Sequence, residues 1–532
     1  MSYAPPARPA AALARSAGVI GLATLASRLL GLARDRVLAH YFGAGDAMDA
    51  FNVASRIPNL LRDLFAEGSM SAAFVPTFTR HLATGGREAA WRLASQVLNA
   101  LLVVTGAIVV AGIALADPLT RLYAGDYAAV PGKLELTVTL TRVMFPFLTL
   151  VAIAVAMMGM LNSLRRFFVP ALSPATFNVV IIASAVTLVP VMRAIGQPPI
   201  LAIALGTVAG GLAQVAIQWP ALRREGFRHR WVLDARDPGL REILILMGPG
   251  TVGVAAAQIN LFVNTVLATG EGTGAVSWLN YAFRLMYLPI GLFGVSIATA
   301  ALPEISRHAA LDELARVRQT VAQGLRLMLM LNVPAAVGLV ALASPIVGLI
   351  LESGEFTSAD TAATAAALVC YAPGLIGYSA AKIVTPSFYA FRDPRTPVTV
   401  SLGTVGLNLV LNLALVRAMG YRGLALGTTI AALANASALL LLLRRRLGGL
   451  DGRRLATSFL GILAASLVMG AAAMAIETSL HALVPGPALA ARAIRVGSAI
   501  AGGLVVLVIA ARLLRLQELD EALGLVLRRR AR

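Results

Sequence analysis

Apolar residues in this chain come in continuous runs of about twenty, parted by short polar connections, and the runs do not alternate with period two. Runs of that length match helices crossing a hydrocarbon core ~30 Å thick at ~1.5 Å per residue; the missing alternation excludes a β-barrel. The windows fall near 15–41, 47–78, 93–116, 134–160, 168–192, 199–221, 241–268, 275–300, 320–343, 359–386, 396–417, 421–443, 455–477 and 490–514. They predict an all-α polytopic membrane protein with about fourteen transmembrane helices. The first run carries Arg28 near its middle and lacks a clean small-residue cleavage pattern, so it reads as an uncleaved first helix.

Charge along the connections sets an orientation. With a cytoplasmic N-terminus, the even-numbered connections hold Arg80, Arg87, Arg165, Arg166, Arg223, Arg224, Arg307, Arg392, Arg444, Arg445 and Arg446. The odd ones carry Asp46, Asp117, Asp126, Glu271, Glu352 and Glu355 with few basic residues. The asymmetry predicts a multi-pass protein of a bacterial cytoplasmic membrane with both termini inside. Of 532 residues, 58% are hydrophobic and 13% charged, which leaves no room for a sizeable soluble domain. The net charge of +19 would suggest nucleic acid in a soluble chain; here it reports loops facing anionic lipid, and no nucleic-acid partner is expected. The single cysteine, Cys370, cannot form an intrachain disulfide.

The chain repeats itself. Pro76, Arg80 and His81 recur as Pro303, Arg307 and His308, Pro146 as Pro373, and Arg165 and Pro170 as Arg392 and Pro397, all at an offset of 227. Residues 204–207 reappear at 425–428, where the offset has slipped to 221. Residues 1–224 and 225–446 therefore read as two six-helix lobes in parallel orientation. Residues 447–532 hold two extra helices and a basic tail. Parallel repeats favour a substrate site between lobes and alternating access by rocking.

The sequence has no phosphate-loop motif, no dinucleotide fingerprint, no HExxH and no paired CxxC. No enzyme activity, resident cofactor or metal constellation is expected; energy would come from the membrane potential, a monovalent-cation gradient or another subunit. What stands out is charge at membrane depth, where an arginine costs ~2.5–3.5 kcal/mol and must face a wet cavity or a partner. Arg28 and Arg34 lie in the first window, Arg34 beside Asp35, with Ala23, Ser27 and Gly31 as a small-residue stripe for close packing. In the second, Asn52, Arg56, Asn59 and Asp63 share one helical face, accompanied by Asp49, Arg62 and Glu67, with Pro58 interrupting the helix. Pairing of Arg34 with Asp35, and of Asp63 or Glu67 with an arginine, is the alternative to substrate contact.

The second lobe is sparser. Arg284, the repeat mate of Arg56 after a one-residue gap, and Lys382 have no acid nearby in sequence; Lys382 could pair with Glu67 or contact substrate. Asn260 and Asn264, and Asn408 and Asn412, form two i, i+4 amide pairs. Asn264, Asn408 and Asn412 could hold a monovalent cation, but interhelical amide bonding is the stronger reading.

Five stretches carry a resemblance: SRLLGLARD (27–35), FGAGDAMDAF (42–51), RIPNLLRDLFAEGSMSAAFVP (56–76), YAFRLMYLPIGLFGVSIATAALP (281–303) and PSFYAFRDPRTP (386–397). Together they closely resemble the MurJ (MviN) family of lipid II flippases in the MOP exporter superfamily. The resemblance covers nearly the whole chain and is weakest over 445–532. It implies export of undecaprenyl-diphosphate-linked disaccharide pentapeptide, lipid II, to the outer leaflet for peptidoglycan synthesis. It places the family's cavity arginines on Arg28, Arg34, Arg62 and Arg284 and its acid after the FGAG turn on Asp49. It also gives helices 13 and 14 a role as a groove for the lipid tail. Phe283 stands where some members carry an acid. Expected partners are lipid II, the bilayer and the cell-wall synthesis machinery, with a monomer as working unit. The alternative is a related polysaccharide-repeat flippase or multidrug exporter of the same superfamily, although a cation exporter should show acids where this chain shows arginines.

Overall fold

A computed structural model describes residues 8–63, 69–234, 236–291 and 295–528. Its helices are α1 (Arg8–Phe42), α2 (Asp46–Arg62), α3 (Ser69–Thr84), α4 (Gly86–Ala114), α5 (Ala116–Ala124), α6 (Lys133–Met144), α7 (Phe147–Ser163), α8 (Phe168–Ala194), α9 (Leu201–Arg224) and α10 (Pro238–Thr269). They continue with α11 (Ala275–Pro289), α12 (Val295–Ala310), α13 (Leu314–Ala341), α14 (Ala343–Ile350), α15 (Ser358–Tyr371), α16 (Gly374–Ala390), α17 (Arg395–Met419), α18 (Tyr421–Arg446), α19 (Gly452–Leu483), α20 (Leu489–Leu513) and α21 (Gln517–Arg528). The chain is an all-α polytopic membrane protein, as its apolar windows predict. Among the described residues nine stretches are long and apolar enough to cross a bilayer, eight of them single helices and one formed by α6 with α7 (Lys133–Ser163), and α15 with α16, bent by 44°, makes a tenth.

Of the remaining windows, 15–41 lies in α1, which carries Arg28, Arg34 and Asp35, and 241–268 lies in the single helix α10. Window 47–78 holds α2 and α3, and window 275–300 holds α11 and α12, with 64–68 and 292–294 outside the described residues. Proline explains two of the breaks: Pro146 precedes α7 and Pro373 precedes α16, each lacking the N–H that would continue the ladder. These two prolines are 227 apart, so the repeat in sequence is a repeat in helix geometry. Arg165 (φ 61°) and Arg392 (φ 58°), also 227 apart, both turn the chain in the left-handed region after their helices. Pro58 corrects an expectation. It lies inside α2, which continues to Arg62, so it does not end the helix.

By contact the chain forms two compact units, residues 1–258 with 353–355, and 259–352 with 356–532. The boundary falls inside α10 rather than at 224/225, and residues 447–532 go with the second unit. The first unit's core joins Phe74 and Phe78 of α3, Leu93 and Val97 of α4, Met157 and Met160 of α7, and Phe227. Aromatic contacts run through it from Phe78 to Trp91 to Phe227 to Trp219. The second unit's core joins Val321, Leu325 and Met328 of α13 to Ile383 of α16, Leu439 and Leu443 of α18, Ile462 of α19 and Leu519 of α21. Outer faces carry exposed Val103, Val110, Leu460, Val468 and Val505, the apolar surface a bilayer covers.

With lipid outside, helices gain little from hiding apolar area and associate by close packing. Small residues supply it. A Cβ on Gly206 would stand 2.7 Å from Ser184 of α8, and one on Gly377 of α16 2.6 Å from the Ala432 carbonyl of α18. In α1, Gly31 of the predicted stripe faces Asn178 of α8.

Candidate functional site

The charged residues of α1 and α2 resolve into three arrangements. In α1, Asp35 Oδ1 accepts from Arg34 Nε (3.1 Å) and Nη2 (2.8 Å), and Arg34 Nη1 donates to Asn178 Oδ1 (3.0 Å). Asn178 in turn donates to the Ser27 carbonyl (3.2 Å), so α8 locks the side chain against α1. The same motif recurs at the end of α2. Asp63 Oδ1 accepts from Arg62 Nε (3.0 Å) and Nη2 (2.7 Å), while its Oδ2 accepts from Gln258 of α10 (3.0 Å). Each arginine thus carries its own neutralising carboxylate, which lowers the cost of a guanidinium at membrane depth. Arg28 differs: it is half-buried and has no hydrogen-bond or ion-pair partner among the described residues.

The third arrangement is closed. Lys133 Nζ, at the start of α6, lies 2.7 Å from Asp46 Oδ1 and 3.1 Å from Asp49 Oδ2, and 4.1 Å from the centre of the Tyr127 ring. Asp46 and Asp49 sit in the first turn of α2, where the helix dipole favours negative charge. Asp49 is therefore engaged within the first unit, with Lys133 as the partner that sequence reasoning missed. The available signal was that Lys133 is one of only two lysines and Asp46 and Asp49 lie one turn apart. Asn178 and Gln258 gave no comparable signal.

The polar stripe of α2 holds Asn52, which is buried, Arg56 and Asn59, which are half-buried, and Asp63. Asn59 Oδ1 is buried without a hydrogen-bond donor among the described residues. Glu67 lies outside the described residues, and so does any pairing of it with Lys382 or an arginine.

In the second unit, Arg284 is half-buried on α11. Phe283 beside it packs on Tyr287, Tyr371 and Tyr378 with ring centres 5.7, 5.5 and 6.2 Å away, so this position is part of an aromatic cluster. Lys382 is exposed on α16 with no ion-pair partner among the described residues. The amide residues converge. Asn412 Nδ2 donates to Asn264 Oδ1 and to Asn408 Oδ1 (2.9 Å), and Asn264 donates to the Thr428 hydroxyl (3.3 Å). This ties α10, α17 and α18 together by interhelical amide bonds. Among the described residues no three His, Cys, Asp or Glu side chains converge as a metal site. The guanidinium groups of α1 and α2 carry N–H donors of the kind that suit anions.

The family model described as lipid II flippase MurJ matches residues 38–492. The chain belongs to the MurJ family. Among MurJ relatives, the probable lipid II flippase of Vibrio cholerae is 35% identical over 430 residues, which cover 80% of this chain and 81% of that protein. The lipid II flippase MurJ of Burkholderia cenocepacia is 35% identical over 427 residues, covering 80% and 82%. A solved structure of lipid II flippase MurJ in an inward closed conformation superposes with a TM-score of 0.75 at 25% identity, over 93% of this chain and 98% of that one. The MurJ match runs through α1 from residue 38, through all of α2 to α19, and into α20.

Proposed function

We propose that this chain moves lipid II, the undecaprenyl-diphosphate-linked peptidoglycan precursor, from the inner to the outer leaflet of a bacterial cytoplasmic membrane, acting as a single chain and as a transporter rather than an enzyme. The observation that carries the reading is MurJ family membership over 38–492. The chemistry is consistent with it. A diphosphate and its sugars cannot cross hydrocarbon unaided, whereas a prenyl tail can stay in lipid.

Arg28, Arg34 and Arg62 in the first unit would supply donors to the diphosphate, and Arg284 is the candidate in the second. Arg56 and Asn59 extend the polar face of α2. The Arg34–Asp35 and Arg62–Asp63 pairs neutralise two of the arginines and leave the site basic through the others, and a diphosphate would compete with the carboxylates for the same N–H groups. Exposure of these side chains first to one side of the membrane and then to the other would complete transport. The membrane potential, worth ~2.3 kcal/mol per charge per 100 mV, would bias return of the empty basic site. A monovalent cation held by Asn264, Asn408 and Asn412 is the other drive considered; the mutual amide bonds speak against it.

Replacement of the resident flippase in a bacterium depleted of its own tests the reading. Growth, with precursor no longer accumulating in the inner leaflet, is expected. Lysis despite normal amounts of this protein in the membrane would contradict it.

A further inference from the structure

Within the second unit, the first turns of α13 and α19 and the side of α21 enclose an open cleft of about 430 Å³. It is lined by Arg318, Gln323 and Arg326 of α13, Arg454 of α19 with Asp451 before it, and Glu521 of α21. None of these residues takes part in the site described above.

The cleft has donors in excess. Each guanidinium offers five N–H groups. Arg454 Nη2 donates to the neutral Gln517 Oε1 (2.8 Å), and Arg318 has no hydrogen-bond or ion-pair partner among the described residues. Among the described residues Arg326 has only Glu518, 3.9 Å from its Nε, and that Nε is buried with no hydrogen bond to any of them. The carboxylates are occupied elsewhere or stand apart. Glu518, buried, accepts from the Ser458 hydroxyl (2.6 Å), and Glu521 accepts from Gln323 (3.3 Å). Neither Asp451 nor Glu521 is within ion-pair distance of the cleft arginines. A buried guanidinium donor without an acceptor is costly unless an anion supplies one.

Position gives the anion's setting. The cleft lies at the ends of two spanning helices, α13 and α19, next to the arginine run 444–446 that ends α18, the depth at which lipid headgroups present phosphate. Leu314 and Leu460 on the same two helices are exposed, apolar surface suited to acyl chains. We infer that this cleft is a second anion site that takes a phosphate group, as presented by an anionic phospholipid headgroup. The inference does not depend on the transport reading, because the site is independent of α1, α2 and α11.

The test uses the full-length chain, delipidated in neutral detergent and titrated separately with phosphatidylglycerol, phosphatidylcholine and inorganic phosphate, with occupancy read by native mass spectrometry. Phosphatidylglycerol should be retained over phosphatidylcholine. Arg318→Gln with Arg454→Gln should weaken that retention about tenfold, while Arg444→Gln with Arg445→Gln, an equal loss of charge next door, should leave it within about twofold. Inorganic phosphate bound with the same dependence on Arg318 and Arg454 would keep the phosphate site and assign it a soluble source. Equal weakening in both double variants would reduce the effect to general surface charge and overturn the inference. So would equal retention of the two lipids with no binding of inorganic phosphate.

Discussion

Lys133 Nζ lies 3.1 Å from Asp49 Oδ2 in a pair closed to solvent, the lysine side chain 2% exposed and the aspartate 0%. The contact joins α6 to the first turn of α2. Removing the lysine alone leaves a buried carboxylate without its cation. Lys133→Met should therefore destabilise the protein by about 3–5 kcal/mol, read as a lowered unfolding midpoint in detergent. Lys133→Met with Asp49→Asn should recover more than half of the loss. An unchanged midpoint for Lys133→Met would show the pair to be dispensable.

Close helix packing gives a second expectation. A Cβ on Gly423 would collide with the Leu415 carbonyl across the α17–α18 turn, and one on Gly427 with the Asn412 side-chain oxygen. Backbone cannot step aside, whereas an amide can rotate. Gly423→Ala should cost the larger share, on the order of 1–3 kcal/mol, and Gly427→Ala less. Thermal unfolding of the two variants side by side would measure the order, and the reverse order would refute the reasoning.

The α16–α17 corner should respond to acid. The Thr396 hydroxyl and amide, then Arg446, hold the Asp393 carboxyl below the usual carboxylate range. A depressed folded value means that the stabilisation is full above the unfolded value, near ~3.9, and fades as pH falls through the folded one. Hydrogen exchange at residues 391–396 should be pH-independent, after correction for intrinsic rates, from about pH 5 to 8 and rise below about pH 4. Asp393→Asn should remove that acid limb; an unaltered limb in the variant would assign it to another group.

The all-helical, membrane-spanning class was legible because continuous apolar runs have one physical solution in lipid. Family and helix windows were legible too, and the 227-residue repeat anticipated the matched breaks at Pro146 and Pro373. Side-chain partners were less so. The Arg34–Asp35 pairing could be named from adjacency, yet Asn178 and Gln258, 144 and 195 residues from their partners Arg34 and Asp63, depend on tertiary packing that local pattern does not encode. Pro58 misled because a proline near a helix end deletes one bond without ending the helix. The unmet donors around Arg326 were invisible for the same reason as Asn178, since α13, α19 and α21 meet only in the fold.

Orientation rests on loop charge and can be measured. With Cys370 replaced by Ala, Ala128→Cys should react with an impermeant thiol reagent in intact cells and Ala310→Cys should not. Both positions are exposed, so lack of labelling reports sidedness and not burial. The opposite pattern would invert the topology and the direction of transport.

The central claim is that arginines of the first unit carry a diphosphate-linked lipid across the bilayer. Its most direct measurement is the rate at which labelled lipid II, placed in one leaflet of sealed vesicles, becomes accessible on the other side, for the wild-type chain and for Arg28→Ala. The account predicts time-dependent transfer by the wild-type protein and a fall of at least about tenfold in Arg28→Ala at equal reconstituted amount, the loss of one charge-assisted contact to phosphate. Transfer by Arg28→Ala at the wild-type rate would contradict it.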